Sequence, residues 1–175
     1  LARLAASCWP GLDQGWAELF AERDRLLVLS PIRRGRWGID ALHRTLLGPA
    51  ALAPSLAIAS LPGGTPLLCR RNLPELGLAN GDIGVLVARS EVTGDQGGHQ
   101  RLLFGQEEPL WFHPAQLAGA LEPALVLTVH KAQGSEAMDV VVLLEDPHTA
   151  EPRLLYTALT RARERALVVT SVERT

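Results

Sequence analysis

The sequence predicts an α/β fold with a parallel sheet, interrupted by a small antiparallel β-barrel. Three observations carry that prediction. Short, nearly continuous apolar runs alternate with helical patterns at both ends of the chain, as buried parallel strands and their covering helices do. Between them, from Thr65 to about Leu121, four short apolar runs are separated by turn signals. Finally, 47% of the 175 residues are apolar, enough for a packed core in one or two small domains.

The elements follow in order. Leu4 opens a helical spacing that resumes, after a break at Pro10-Gly11, with Trp16, Leu19 and Phe20. Arg25 to Ser30 reads as a buried strand, ended by Pro31. Ile39 to Leu47 is a second helix, with Ile39, Leu42, Leu46 and Leu47 on one face and Gly48-Pro49 stopping it. A loose Ala/Pro stretch ends at Pro62-Gly63-Gly64. Strands are expected over 66–69, 83–88, 101–104 and 110–112, and turns at Asn80-Gly81-Asp82, Gly94-Asp95 and Gly97-Gly98 suit a barrel. Trp111, Phe112 and Phe104 are its natural filling. Strands over 125–129, 140–144 and 166–170 and a helix from Leu154 to about Arg163 complete the chain. The expected division is one α/β domain in two pieces, 1–62 and 122–175, around a barrel at 63–121.

The formal charge is −2, from 17 Lys plus Arg against 19 Asp plus Glu. Any nucleic-acid contact is therefore local rather than spread over a basic protein. Three clusters offer one: Arg33, Arg34 and Arg36; Arg70 and Arg71; and Arg161, Arg163 and Arg165. Cys8 and Cys69 make neither a metal spacing nor a disulfide framework, and both are expected to be buried or inert. No apolar run approaches the length of a membrane span and no signal peptide is visible, so a cytoplasmic location is expected. The chain starts at Leu1 and its one methionine is Met138, so it reads as a fragment or a trimmed product.

Two segments carry chemistry. In Leu127-Thr-Val-His-Lys-Ala-Gln-Gly-Ser-Glu136 a strand opens into a polar loop. Ligands in open α/β sheets bind beyond the carboxyl ends of strands. Gly134 lets a phosphate approach the backbone, Ser135 and Glu136 suit a ribose, and Thr128, His130 and Lys131 suit a nucleic-acid phosphate. The plain alternative is a polar loop without a ligand. In Leu155-Tyr-Thr-Ala-Leu-Thr-Arg-Ala-Arg163, Arg161 closes a short helix. A planar guanidinium there stabilises charge on a transferring phosphoryl group. The competing account is that late arginines complement the helix dipole, and it covers Arg163 and Arg165 better.

These strings resemble the motifs of RecD-type superfamily 1 DNA helicases, the alpha subunits of exodeoxyribonuclease V. Thr128 to Glu136 is similar to motif V and Tyr156 to Arg163 to motif VI. Leu29-Ser-Pro-Ile-Arg-Arg-Gly35, with Trp37 to Leu42 after it, resembles motif IV. Arg71 to Gly84 resembles the start of the family's inserted small domain. The four stretches stand in the family's order.

The resemblance implies a second RecA-like (P-loop NTPase) motor domain with an inserted SH3-like β-barrel. It implies that Arg161 touches the γ-phosphate of ATP, that Gly134 and Glu136 lie at the nucleotide with Glu136 toward the ribose, and that Gln133 links nucleotide and DNA. Thr128 and His130, with Lys131, would hold single-stranded DNA. A motif IV arginine would also reach the γ-phosphate; Arg33 and Arg34 both qualify, with Arg34 preferred. Arg70 and Arg71 would meet DNA, with contact to RecB or RecC as the competing use. The family's aromatic after Glu136 is replaced by Ala137 and Met138, which should alter packing rather than chemistry.

No Gly-x-x-x-x-Gly-Lys-Ser/Thr loop is present, and no strand ends in an Asp-Glu pair for Mg2+. In the family those belong to the first motor domain, so this chain alone is expected not to turn over ATP. Glu107, Glu108, Glu145 and Asp146 are scattered and read as surface residues. Three other readings compete: a RecD-like helicase working without RecB and RecC, a non-enzymatic docking module, and another P-loop ATPase.

Overall fold

The computed structural model describes residues 16–52, 58, 60–87, 100–105, 108–146 and 150–171. The expected elements at Leu4 and the residue Cys8 lie outside them. The chain divides into two compact units, one of Arg23–His43 with Val126–Thr175, the other of Leu1–Glu22 with Arg44–Leu125.

The first unit is an α/β layer. Its strands are β1 (Leu26–Ser30), β7 (Leu127–Thr128), β8 (Ala137–Leu144) and β9 (Ala162–Thr170), all parallel in the order β7-β1-β8-β9. The apolar runs explain the layer. Val28, Leu29, Val140, Val142, Leu143 and Leu144 are buried, as parallel strands covered on both faces require. Helix α2 (Ile39–Leu47) has the expected bounds, but Ile39 and His43 are its buried residues, while Leu42, Leu46 and Leu47 are half-buried. His43 satisfies its burial by accepting the Val126 N–H at Nε2, 3.1 Å away. Helix α3 (Pro152–Leu159) packs on β8 and β9 and ends four residues earlier than expected. Thr160 caps it, and the chain turns almost at once into β9. The expected strand over 125–129 shrinks to Leu127–Thr128, because only these residues pair with β1.

The second unit is a five-stranded antiparallel sheet. β2 (Pro66–Cys69), β3 (Ile83–Val87), β4 (Arg101–Phe104), β5 (Leu110–Phe112) and β6 (Leu121–Pro123) lie in the order β5-β4-β3-β2-β6. Alternation along the strands sends Leu86, Leu102 and Phe104 to one core and Val85, Val87 and Leu103 to another. Helix α1 (Trp16–Arg23) covers the second with Leu19 and Phe20, and Trp111 packs against it half-buried. Phe104 and Phe112 are core residues, as expected, and Cys69 is buried.

This unit is larger than the expected 63–121. Leu47, Ile58 and Leu61 join its main core, and Leu121–Pro123 pairs with β2 as a strand the sequence did not suggest. Among the described residues no helix is long and apolar enough to cross a membrane.

Candidate functional site

The residues with chemistry leave the parallel sheet at opposite edges. At the carboxyl edge, β1 and β7 end side by side, with Ser30 paired to Thr128. Thr128 Oγ1 accepts the Lys131 N–H at 3.2 Å and its carbonyl accepts the Ala132 N–H at 3.1 Å. The half-buried Thr128 hydroxyl accepts that bond and keeps its own proton available to donate. His130 beside it is exposed, and Lys131 is half-buried.

Residues 129–136 then cross from the end of β7 to the start of β8. Ala132 is fully buried and pins this crossover, while Gln133, Gly134 and Glu136 are exposed. The turn closes with Ser135 N–H to the Ala132 carbonyl, 3.0 Å. Gly134 has φ +86°, and no atom lies within 4 Å of where a Cβ would stand. That combination leaves the peptide open to a ligand and disfavours any side chain.

At the amino edge, Arg161 is held by its own backbone and side chain. Its N–H reaches the Ala158 carbonyl at 3.3 Å and its carbonyl accepts the Ala137 N–H at 3.0 Å. Its Nε donates to the Thr157 carbonyl at 3.2 Å, which ties the half-buried guanidinium to the helix end. Arg161 is thus fixed at the start of β8, next to Glu136. An open glycine, a carboxylate and a tethered guanidinium together suit a ribose and a phosphate.

Arg33 and Arg34 start from another place in the sheet. They follow β1 at the carboxyl edge. Leu29 stands level with Val142, five residue steps above Ala137, or roughly 16 Å at about 3.3 Å per step. Two strand spacings, about 10 Å, add sideways from β1 to β9. The backbone of Arg33 and Arg34 thus leaves the sheet at the opposite edge from Arg161. Arg33 forms an ion pair with Asp40, Nε to Oδ1 3.5 Å, and Arg34 is exposed.

Arg163 and Arg165 are also corrected. They lie on β9, not on a helix end. Arg163 Nε donates to Glu136 Oε2 at 3.0 Å. Arg165 grips Asp139 with two bonds of 2.7 Å each. Sequence reading missed Asp139, and nothing local marks it, since the pair exists only through the β8–β9 register. The hydrogen bond from Arg165 holds the Asp139 carboxyl below its ordinary value of 3.8, helped by the charges of Arg165 and Arg25. A lowered carboxylate contributes stability above its ordinary pKa and loses it as pH falls through the folded-state value. Acidification below about pH 4 should therefore lower the melting temperature of the wild type more than that of Asp139→Asn. Thermal melts in a pH series check this; parallel slopes would reject it.

In the antiparallel unit, Arg70 pairs with Glu122 at 3.8 Å, and Arg71 is exposed. Glu108, Glu145 and Asp146 are exposed, while Glu107 lies outside the described residues. Among the described residues no three His, Cys, Asp or Glu side chains could hold a metal ion.

Residues 123–169 match the UvrD-like helicase C-terminal domain. The RecBCD enzyme subunit RecD of Mycolicibacterium smegmatis is 35% identical over 161 residues, 87% of this chain and 26% of that protein. The chain belongs to the RecD-type helicases. The ATP-dependent RecD2 DNA helicase of Deinococcus radiodurans is a further RecD-type relative, 32% identical over 79% of this chain and 19% of its own length. This RecD-type chain thus spans about a quarter or less of these relatives. Its α/β fold resembles that of a Bacteroides Pif1 helicase solved with ADP-AlF3 and ssDNA, with a TM-score of 0.55 and 17% identity over 87% of this chain and 41% of that one. Where the RecD-type pattern has an aromatic after Glu136, Ala137 is buried and Met138 is 36% exposed.

Proposed function

We propose that this chain forms the second motor domain of an ATP-dependent 5′-to-3′ DNA helicase, the alpha subunit of exodeoxyribonuclease V. The observation that carries the reading is the crossover 129–136, which joins a hydroxyl, imidazole and ammonium group at one sheet edge to an open glycine and a tethered arginine at the other. On this reading Gly134, Glu136 and Arg161 form one wall of the ATP site. Arg161 stabilises charge on the transferring phosphoryl group. ATP supplies that group, and Mg2+ is held mainly by the first motor domain, whose phosphate loop this sequence lacks. Thr128, His130 and Lys131 hold the phosphates of single-stranded DNA. Gln133, between the two, senses both.

The antiparallel unit, with its strands of three to five residues, reads as the inserted SH3-like barrel. Arg70 and Arg71 meet DNA there, RecB and RecC are the partner subunits, and the protein works in the cytoplasm. A helicase acting without RecB and RecC shares the same motor wall.

Fluorescence anisotropy with single-stranded DNA across a salt series tests the track. Thr128→Ala with His130→Ala should weaken binding by more than about 10-fold, since one hydrogen bond to a charged group contributes about 1.5–3 kcal/mol. Unchanged affinity at every salt concentration would sink the assignment.

A further inference from the structure

The start of β9 reads Arg163-Glu164-Arg165, and the sheet gives its two arginines different partners. Ala162 stands level with Ala137, but Arg165 stands level with Asp139. β9 takes three residue steps, Ala162 to Arg165, where β8 takes two, Ala137 to Asp139. A bulge of this kind re-aims side chains and is common beside active sites. Without it Glu164 would stand level with Asp139, one carboxylate beside another. With it, Arg165 meets Asp139, and Arg163 reaches back to Glu136, Nε to Oε2 3.0 Å. The two pairs differ in kind. Arg165 holds Asp139 with two bonds and pins the register. Arg163 makes one bond to Glu136, with side chains 64% and 52% exposed. An ion pair so open to solvent adds little to stability. What it does fix is direction. Glu136 follows the open turn at Gly134, where nothing lies within 4 Å of a Cβ, and its own side chain is exposed. Among the described residues, Arg163 is the one group bonded to the Glu136 carboxylate, and Oε1 accepts no hydrogen bond.

We propose that Arg163 is a positioning residue: it aims the Glu136 carboxylate at the ribose of the bound nucleoside triphosphate, and so sets how strongly the site demands ribose hydroxyls. The inference rests on the reading that Glu136 lies at the ribose, and adds the residue that directs it there. An ionised carboxylate can only accept hydrogen bonds, so its partner must be a donor such as a ribose hydroxyl. Arg163 occupies Oε2 and leaves Oε1 for that hydroxyl. A glutamate with no such partner samples several rotamers, and ordering it only when the ligand arrives weakens binding. Arg161 is held separately, by its Nε bond to the Thr157 carbonyl. Loss of Arg163 therefore leaves the arginine that faces the phosphoryl group in place.

The test uses the full-length protein, with DNA-stimulated turnover of ATP and of 2′,3′-dideoxy-ATP, which lacks both ribose hydroxyls. Arg163→Gln removes the cation while keeping a polar side chain. Its KM for ATP should rise about 10-fold, toward that of the dideoxy nucleotide, which is the low end of what one hydrogen bond to a charged group contributes. Its kcat for ATP and its KM for the dideoxy nucleotide should not move. A KM that rises equally for both nucleotides overturns the proposal, since Arg163 would then support the site in general rather than aim Glu136. An unchanged preference for ATP overturns it as well. Glu136→Ala separates that failure from failure of the underlying reading. If Glu136→Ala removes the ATP preference and Arg163→Gln does not, Glu136 stays at the ribose and the role of Arg163 falls. If Glu136→Ala leaves the preference intact, or the wild type shows none, both fall.

Discussion

Replacing Arg161 by alanine in the full-length protein is expected to lower DNA-stimulated ATP turnover by about 10³–10⁵-fold, the range an arginine finger supplies. The argument is positional. Arg161 is the guanidinium fixed at the edge where Gly134 leaves its peptide open, and its Nε bond to Thr157 holds it ready before any ligand arrives. Preorganisation of this kind makes a charge count in the transition state. Arg161→Lys should recover little, because a lysine cannot keep the Thr157 bond and face a phosphoryl group with a planar fork. The backbone bonds to Ala158 and Ala137 survive both changes. Nucleotide affinity should therefore fall far less than turnover. Steady-state turnover alongside nucleotide titration decides it: an equal drop in both would make Arg161 a binding group only.

The largest stability effect is expected at Phe104. Phe104→Ala should cost about 3–5 kcal/mol, read from urea unfolding. The ring is 1% exposed and meets Phe112 edge-on, with centroids 5.9 Å apart and planes at 74°. It also lies over Gly84, where a Cβ would fall 2.6–2.7 Å from three ring atoms. Gly84→Ala should accordingly destabilise by about 1–3 kcal/mol through overcrowding. The two changes touch the same space, so the double variant should be less destabilised than the sum of the singles. Strict additivity would mean that the ring does not sit over Gly84 in solution.

The strands of the antiparallel sheet could be read in the sequence because turn residues bracket them. β6 could not: Leu121–Pro123 is three residues with a proline, and only its pairing with β2 makes it a strand. The motif loops announced themselves through residue type, yet their grouping depended on sheet order. Arg34 and Arg161 look alike as phosphate-binding arginines in a string of letters. In the sheet β7-β1-β8-β9, one follows the end of β1 and the other precedes the start of β9. His43 was hidden for a similar reason, since the leucine spacing of α2 pointed elsewhere, although His43 lies four residues after the buried Ile39, on the same face.

β9 divides into two halves of different temper. Its first half carries Arg163, Glu164 and Arg165, and charges on a terminal strand discourage stray pairing. Its second half does not: Ala166, Leu167 and Val168 are exposed, Leu167 at 58%, on the outermost strand of the described sheet. This outer strand therefore presents an unguarded apolar stretch, and Leu167→Lys would place a gatekeeper charge there to keep the chain in solution.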